Sequence, residues 1–87
     1  MQVSKLLRHV LLEQGISARE LARRLNTSGP NIAQKLGRDN WSVSDLADIA
    51  AALGCGFSVS FHLPDGQTMT AEQPSPVKQP EQNSAKT

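Results

Sequence analysis

Several kinds of residue and segment are scarce in this 87-residue chain. There is one cysteine, Cys55, which alone can form neither an intrachain disulfide nor a four-ligand zinc site, and His9 and His62 stand far from it without ligand spacing. Neither a metal nor any other cofactor is expected. Aromatic residues make up 3% of the chain, which leaves aliphatic side chains to build a small core. No apolar run approaches the roughly 18 residues that a bilayer span needs. The amino-terminal segment MQVSKLLRHVLLEQG carries a charge after every few apolar residues, unlike a secretory signal, so a cytoplasmic protein without a membrane contact is expected. The length excludes a two-domain enzyme, since single domains run from about 50 to 250 residues.

The net charge of +1 hides a polarised distribution. Residues 1–40 hold seven cations (Lys5, Arg8, Arg19, Arg23, Arg24, Lys35, Arg38) against three anions, whereas residues 41–69 hold only Asp45, Asp48 and Asp65. Such asymmetry points to a half that faces a polyanion, with a random surface distribution as the plainer alternative.

Apolar residues at Val3, Leu6, Leu7, Val10 and Leu11 share one face of a first helix that ends at Gly15. Ser17-Ala18-Arg19-Glu20 has the pattern of a capping box, in which Ser17 accepts from the N–H of Glu20 and the Glu20 carboxylate returns to the N–H of Ser17. The helix it starts continues through Leu21, Ala22 and Leu25 to Asn26, a residue that tolerates the left-handed conformation. Ser28 caps a third helix with Pro30 in its first turn, Ile32 and Leu36 as anchors and Gly37 as its end. A second capping box, Ser42-Val43-Ser44-Asp45, opens a fourth helix with the stripe Val43, Leu46, Ile49, Ala50 and Leu53, closed by Gly54. The period then falls to two: Phe57, Val59, Phe61 and Leu63 alternate with Ser58, Ser60 and His62, as in a half-buried strand. Pro64-Asp65-Gly66 makes a turn after which Gln67 to Thr70 can return as a short second strand. The last stretch has three prolines and Val77 as its one sizeable apolar residue, the composition of a disordered tail. Residues 1–69 therefore form one domain with a strand or hairpin at 57–69, and residues 70–87 a tail that another protein could contact.

Two short helices with the small Ala22 inside the first, joined by a turn at Asn26 to Ser28, have the pattern of a helix-turn-helix. Leu21, Leu25, Ile32 and Leu36 face inward in that arrangement. Ser28, Asn31, Gln34 and Lys35 face outward beside Arg19, Arg23 and Arg24. Asn and Gln pair bidentately with adenine in the major groove, and flanking Arg and Lys neutralise phosphates, although the arginines can equally form a solvated helix face.

The segment SARELARRLNTSGPNIAQKL resembles the helix-turn-helix of the lambda-repressor-like, or xenobiotic-response-element, family of bacterial and phage regulators, and DLADIAAALG is similar to that family's fourth helix. The likeness covers residues 3 to 54. It implies a mostly α fold, a four-helix lambda-repressor-like domain here followed by the strand or short hairpin and the disordered tail. It also implies double-stranded DNA as partner, no enzymatic activity, and a small transcriptional repressor acting as a homodimer in the cytoplasm, nucleoid-associated when bound. Base contacts fall to Ser28, Asn31 and Gln34, and phosphate contacts to Arg19, Arg23, Arg24, Lys35 and Arg38. Several departures stand out. The family's helix-two Gln is Ala18, its turn Gly is Asn26, and its first-helix Arg is Leu11, which leaves Glu20 to cap. Gly29 and Pro30 begin the third helix without side-chain hydrogen bonds to offer, and the family's fifth helix gives way to the strand Phe57 to Leu63. A lone strand or hairpin is marginal in water. A homodimer is therefore expected, in which strand 57–63 pairs with its two-fold mate and buries Phe57, Val59 and Phe61 against the helices. The alternative is a hairpin packed on helices one and four of a monomer.

Other residues have plainer roles. Trp41 is expected to seal its loop against helix four, Cys55 to be semi-buried, and His9 and His62 to lie at the surface. Ser58, Ser60 and His62 lack an acid partner for catalysis. The competing functional class is a helix-turn-helix protein-interaction module, such as an antitoxin-like or adaptor subunit, which a steep salt dependence of DNA affinity would separate from a repressor.

Overall fold

A computed structural model, which describes residues 1–76, has four helices followed by a two-stranded antiparallel hairpin, the mostly α architecture expected. The elements are α1 (Val3–Gln14), α2 (Ala18–Arg24), α3 (Gly29–Arg38), α4 (Val43–Ala52), β1 (Phe57–His62) and β2 (Thr68–Gln73). The tail beyond residue 76 lies outside the described residues.

Three of the helices end by one device. Gly15, Asn26 and Gly54 adopt φ of 66°, 59° and 73° after α1, α2 and α4. In each case the next residue's N–H turns back into the helix: Ile16 to Leu11 O at 2.9 Å, Thr27 to Ala22 O at 2.9 Å, and Cys55 to Ala50 O at 2.8 Å. These are Schellman closures, which satisfy terminal carbonyls and turn the chain sharply. Asn26 thus takes the bend that its tolerance of the left-handed region suggests. α3 differs. It does not stop at Gly37 but runs on to Arg38, and Asp39 becomes the left-handed residue at φ 54°.

The core gathers Leu7 and Leu11 from α1, Leu21 and Ala22 from α2, Ile32 and Leu36 from α3, and Ile49 and Leu53 from α4 and its end. Each Leu or Ile so buried contributes roughly 1.5–3 kcal/mol, and a core this short has few to lose. Leu6 is not part of it. It sits about 100° round the helix from Leu7 and is 61% exposed. Val43, in the first turn of α4, is likewise exposed rather than part of the buried stripe.

α1 has no side-chain cap of its own, since Gln2 supplies none. Asp39 takes that role from the far end of α3: its Oδ1 accepts the backbone N–H of Ser4 at 2.7 Å. This pull explains why α3 ends at Arg38. Beside it the Trp41 indole donates to the buried Ser4 hydroxyl at 2.9 Å, so Trp41 ties its loop to α1 while its ring packs on the core. Cys55 is half-buried and receives the Gln14 side-chain amide at 3.3 Å.

β1 pairs with β2 of the same chain, Phe57 opposite Gln73 through to His62 opposite Thr68. β2 continues to Gln73, so residues 70–73, expected in the tail, belong to the hairpin. Leu63 lies beyond β1 and closes the turn, donating its N–H to Gln67 O and accepting from Gly66. Phe57 is half-buried, but Val59 and Phe61 are exposed instead of packed on the helices, because the hairpin touches the helical body only at its base. There the Gln73 amide donates to Ala47 O at 3.0 Å and the Ser75 hydroxyl to Gly54 O at 2.8 Å.

Asp39→Ala removes both the cap on α1 and a residue suited to the left-handed region, and should cost about 1–3 kcal/mol. Asp39→Asn keeps an acceptor and the backbone tolerance and should cost less than half as much. Urea unfolding followed by Trp41 fluorescence measures both.

Candidate nucleic-acid interface

The pair α2 and α3 is built from its caps inward. Ser17 Oγ accepts the N–H of Glu20 at 3.0 Å, and Ser28 Oγ accepts the N–H of Asn31 at 3.2 Å. Each helix therefore starts at a fixed residue. Ala22 is 1% exposed and Leu21 equally so, which lets α3 cross close over α2. The closure at Asn26 leaves only Thr27 and Ser28 to reach the start of α3.

α3 then presents a polar face. Asn31, Gln34 and Arg38 are exposed at successive three- and four-residue steps and so lie along one side of the helix. Asn31 Nδ2 donates to Thr27 Oγ1 at 2.8 Å, which steers its amide from the turn. Ser28 is exposed beside it, with its hydroxyl engaged in the cap. The three residues expected to face bases thus lie exposed along α3 and its cap.

The cations are divided. Arg19 and Arg38 are exposed and form no ion pair among the described residues. Arg23 lies against Glu20 through two parallel bonds, Nε to Oε1 at 2.9 Å and Nη2 to Oε2 at 2.6 Å. Arg24 Nε reaches the same Oε2 at 3.1 Å, and its Nη1 donates to Ala52 O at the end of α4 at 3.2 Å. Lys35 Nζ pairs with Asp45 Oδ2 at 2.9 Å and lies 6.0 Å from the centre of the Trp41 ring. The expected capping box at α2 is therefore incomplete. Glu20 turns to the two arginines instead of the N–H of Ser17, because a doubly charge-assisted site outweighs one amide. The box at α4 is complete, with Asp45 Oδ2 accepting the N–H of Ser42 at 3.0 Å.

A family model for the Cro/C1-type HTH DNA-binding domain matches residues 6–58, more than half of the chain. The chain belongs to that family. The Cro/C1-type match takes in α2, α3 and α4 and all but the first residues of α1, and it ends just inside β1, so most of the hairpin lies beyond it. No curated protein and no solved structure matches the chain. No helix among the described residues is long and apolar enough to cross a membrane, and among them no group of three His, Cys, Asp or Glu could hold a metal ion. The Ser60 and His62 side chains face cross-strand partners, Thr70 at 2.7 Å and Thr68 at 3.1 Å.

Sequence reasoning missed Asp39 as the cap of α1 and Asp45 as the partner of Lys35, since both contacts join different elements. The Glu20 cluster carried a visible signal: Arg23 and Arg24 stand three and four residues after it.

The Arg23 and Arg24 guanidiniums hold the Glu20 carboxyl down to about 2 from 4.5, and the N–H of Ser42, then Lys35, lower that of Asp45 from 3.8. A carboxyl depressed by folding binds fewer protons in the folded than in the unfolded state. Its contribution is complete above the unfolded value and is lost as pH falls toward the folded one. Thermal midpoints should therefore hold near neutrality and drop between pH 4.5 and about 2. Asp45→Asn should lower the neutral midpoint and flatten that drop, as circular dichroism melts at stepped pH will record.

Proposed function

We propose that the protein binds duplex DNA sequence-specifically as a small homodimeric transcriptional repressor, with α3 entering the major groove. The observation that carries this reading is the exposed face of α3, where Asn31 and Gln34 stand together on a helix fixed at both ends in a Cro/C1-type domain. Ser28, Asn31 and Gln34 would contact base edges. Arg19 and Arg38 would hold phosphates directly. Arg23, Arg24 and Lys35 would do so in exchange for, or alongside, their carboxylate partners. Such a protein acts where the DNA is, in the cytoplasm of a bacterium or a phage-infected cell, and needs neither catalysis nor a cofactor.

The homodimer is supported by the hairpin. Its alternation places Phe57, Val59 and Phe61 on one face with Ala71 and Met69 opposite them, and Phe61 is 77% and Met69 60% exposed. β1 has a second edge beyond the one that β2 occupies. Pairing two such edges about a two-fold axis would give a four-stranded sheet, bring the apolar faces side by side and set two copies of α3 for successive turns of DNA. The same face favours the second reading, a helix-turn-helix that serves to dock another protein.

Selection from a random DNA pool should recover an inverted repeat. Binding should weaken with salt by about 0.9 log units per log unit for each phosphate neutralised. A slope near zero would favour the docking module. Gln34→Ala should cost roughly 1–3 kcal/mol on the selected site and little on random DNA, with an unchanged dichroism spectrum. Equal losses on both would assign Gln34 to positioning alone.

Phe61→Ser exchanges an exposed apolar side chain for a polar one and should leave the helical signal intact. Sedimentation at tens of micromolar should then change from dimer to monomer. A wild type that sediments as a monomer there would refute a stable dimer in the absence of DNA.

A further inference from the structure

Arg23 on α2 has its side chain 74% exposed, yet its guanidinium is engaged by a neighbour in the same helix. Both its Nε and Nη2 meet the two oxygens of Glu20. That is the two-pronged geometry in which a guanidinium grips a phosphate. The cluster sits in a shallow concavity between α2 and the start of α3, lined by Ser17, Arg19, Glu20, Arg23, Thr27 and Gly29. DNA backbone following α3 would pass this concavity. Resting on the DNA-binding reading above, we propose that Glu20 is an internal stand-in for a DNA phosphate, which keeps Arg23 latched and attenuates the sequence-independent part of binding.

Three features favour this assignment over an ordinary surface ion pair. First, Glu20 is pinned from two sides: Arg24 also reaches its Oε2, and Arg24 is itself fastened to Ala52 O of α4. The carboxylate is thereby held on α2 where a swinging side chain would leave. Second, among the described residues Glu20 forms no ion pair with α1, where Leu11 is buried in the core, and both of its ion pairs are with the α2 arginines. Third, the two guanidiniums that grip the Glu20 carboxyl hold it well below its ordinary value, so it stays charged against Arg23 at neutral pH. An incoming phosphate must displace the carboxylate from Arg23 or approach against its charge. Either cost falls on every DNA sequence alike, because phosphates carry no base information. Arg24, 37% exposed and joined to two acceptors, is by the same geometry a brace between α2 and α4.

A double-mutant cycle tests the latch on a random 20-base-pair duplex and on the selected site. Glu20→Gln should tighten binding to both about tenfold at moderate salt and steepen the log–log slope by about one per subunit. Arg23→Ala should weaken the wild type no more than about twofold but the Glu20→Gln protein about tenfold, since in the wild type any phosphate must share Arg23 with Glu20 or displace it, and in the variant Arg23 is free for the phosphate. Glu13→Gln, on exposed α1, removes the same charge elsewhere and should change affinity far less. If Arg23→Ala is equally costly in both backgrounds, or Glu20→Gln matches Glu13→Gln, the latch is overturned. Should Glu20→Gln fail to fold, Arg23→Lys keeps the charge but not the two-pronged grip. It should bind at least as tightly as the wild type with a steeper salt slope, and a loss would overturn the proposal. A wild type without salt-dependent DNA binding would defeat the DNA reading itself, whereas additive mutants on a DNA-binding wild type would defeat only the role of Glu20.

Discussion

The close crossing of α2 and α3 at Ala22 governs what the rest of the molecule can do. Ala22 is almost wholly enclosed, and its carbonyl accepts the N–H of Thr27 that closes the turn. One small residue thus sets both the distance between the helices and the path of the chain from one to the other. A larger side chain there would have to displace its neighbours in the core, and overpacking in a core of eight residues is costly. Because α3 is held by that contact, the direction of Asn31 and Gln34 is fixed before any partner arrives. Preorganisation of this kind removes an ordering cost from binding.

Charge is the second constraint, and it acts inside the protein before it acts outside. The excess of cations in the first forty residues overstates what α2 and α3 can offer to a polyanion, because Glu20 and Asp45 engage three of them. The engagements also have structural consequences. α4 has no basic residue in its last turn, and Arg24 serves one of its end carbonyls from α2. Lys35 holds the capping carboxylate of α4 from α3. Each is an exposed or half-exposed pair of small worth alone. Together they register α2, α3 and α4 against one another.

The sequence made the helices legible because local signals agreed: serine caps at 17, 28 and 42, left-handed closures at Gly15, Asn26 and Gly54, and aliphatic residues at helical spacing. The helix-turn-helix and the outward set Ser28, Asn31 and Gln34 followed from the same signals. What failed was whatever depends on a distant partner. Gly37 looked like a helix end, but Asp39 ends α3 because Ser4, far along the chain, needs an acceptor. Leu6 fitted the apolar period of α1, but no neighbour packs over its side of the helix. The strand was visible from its alternation, whereas its partner β2 was read too short because Thr70 to Gln73 carries no large apolar residue to mark it. The final residues of β2 are held by pairing with β1 and by the bond from Gln73 to α4, neither of which has a local signature.

The last of these failures lies in the least conventional part of the molecule. The hairpin is joined to the helical body through hydrogen bonds to carbonyls of α4 and its end, Ala47 O and Gly54 O, with half-buried Phe57 beside them. The first turn of α4 is tied to α3 through Asp45 and Lys35. α4, about 15 Å long at 1.5 Å per residue, therefore stands as a strut between the polar face of α3 and the apolar face of the hairpin. A strut capped at both ends transmits position without bending. In the homodimer proposed above, the separation of the two α3 helices would then be a property of α4 and its two sets of caps more than of the strands. Loosening Gln73 or Asp45 would alter that separation while leaving every residue proposed to face a base untouched.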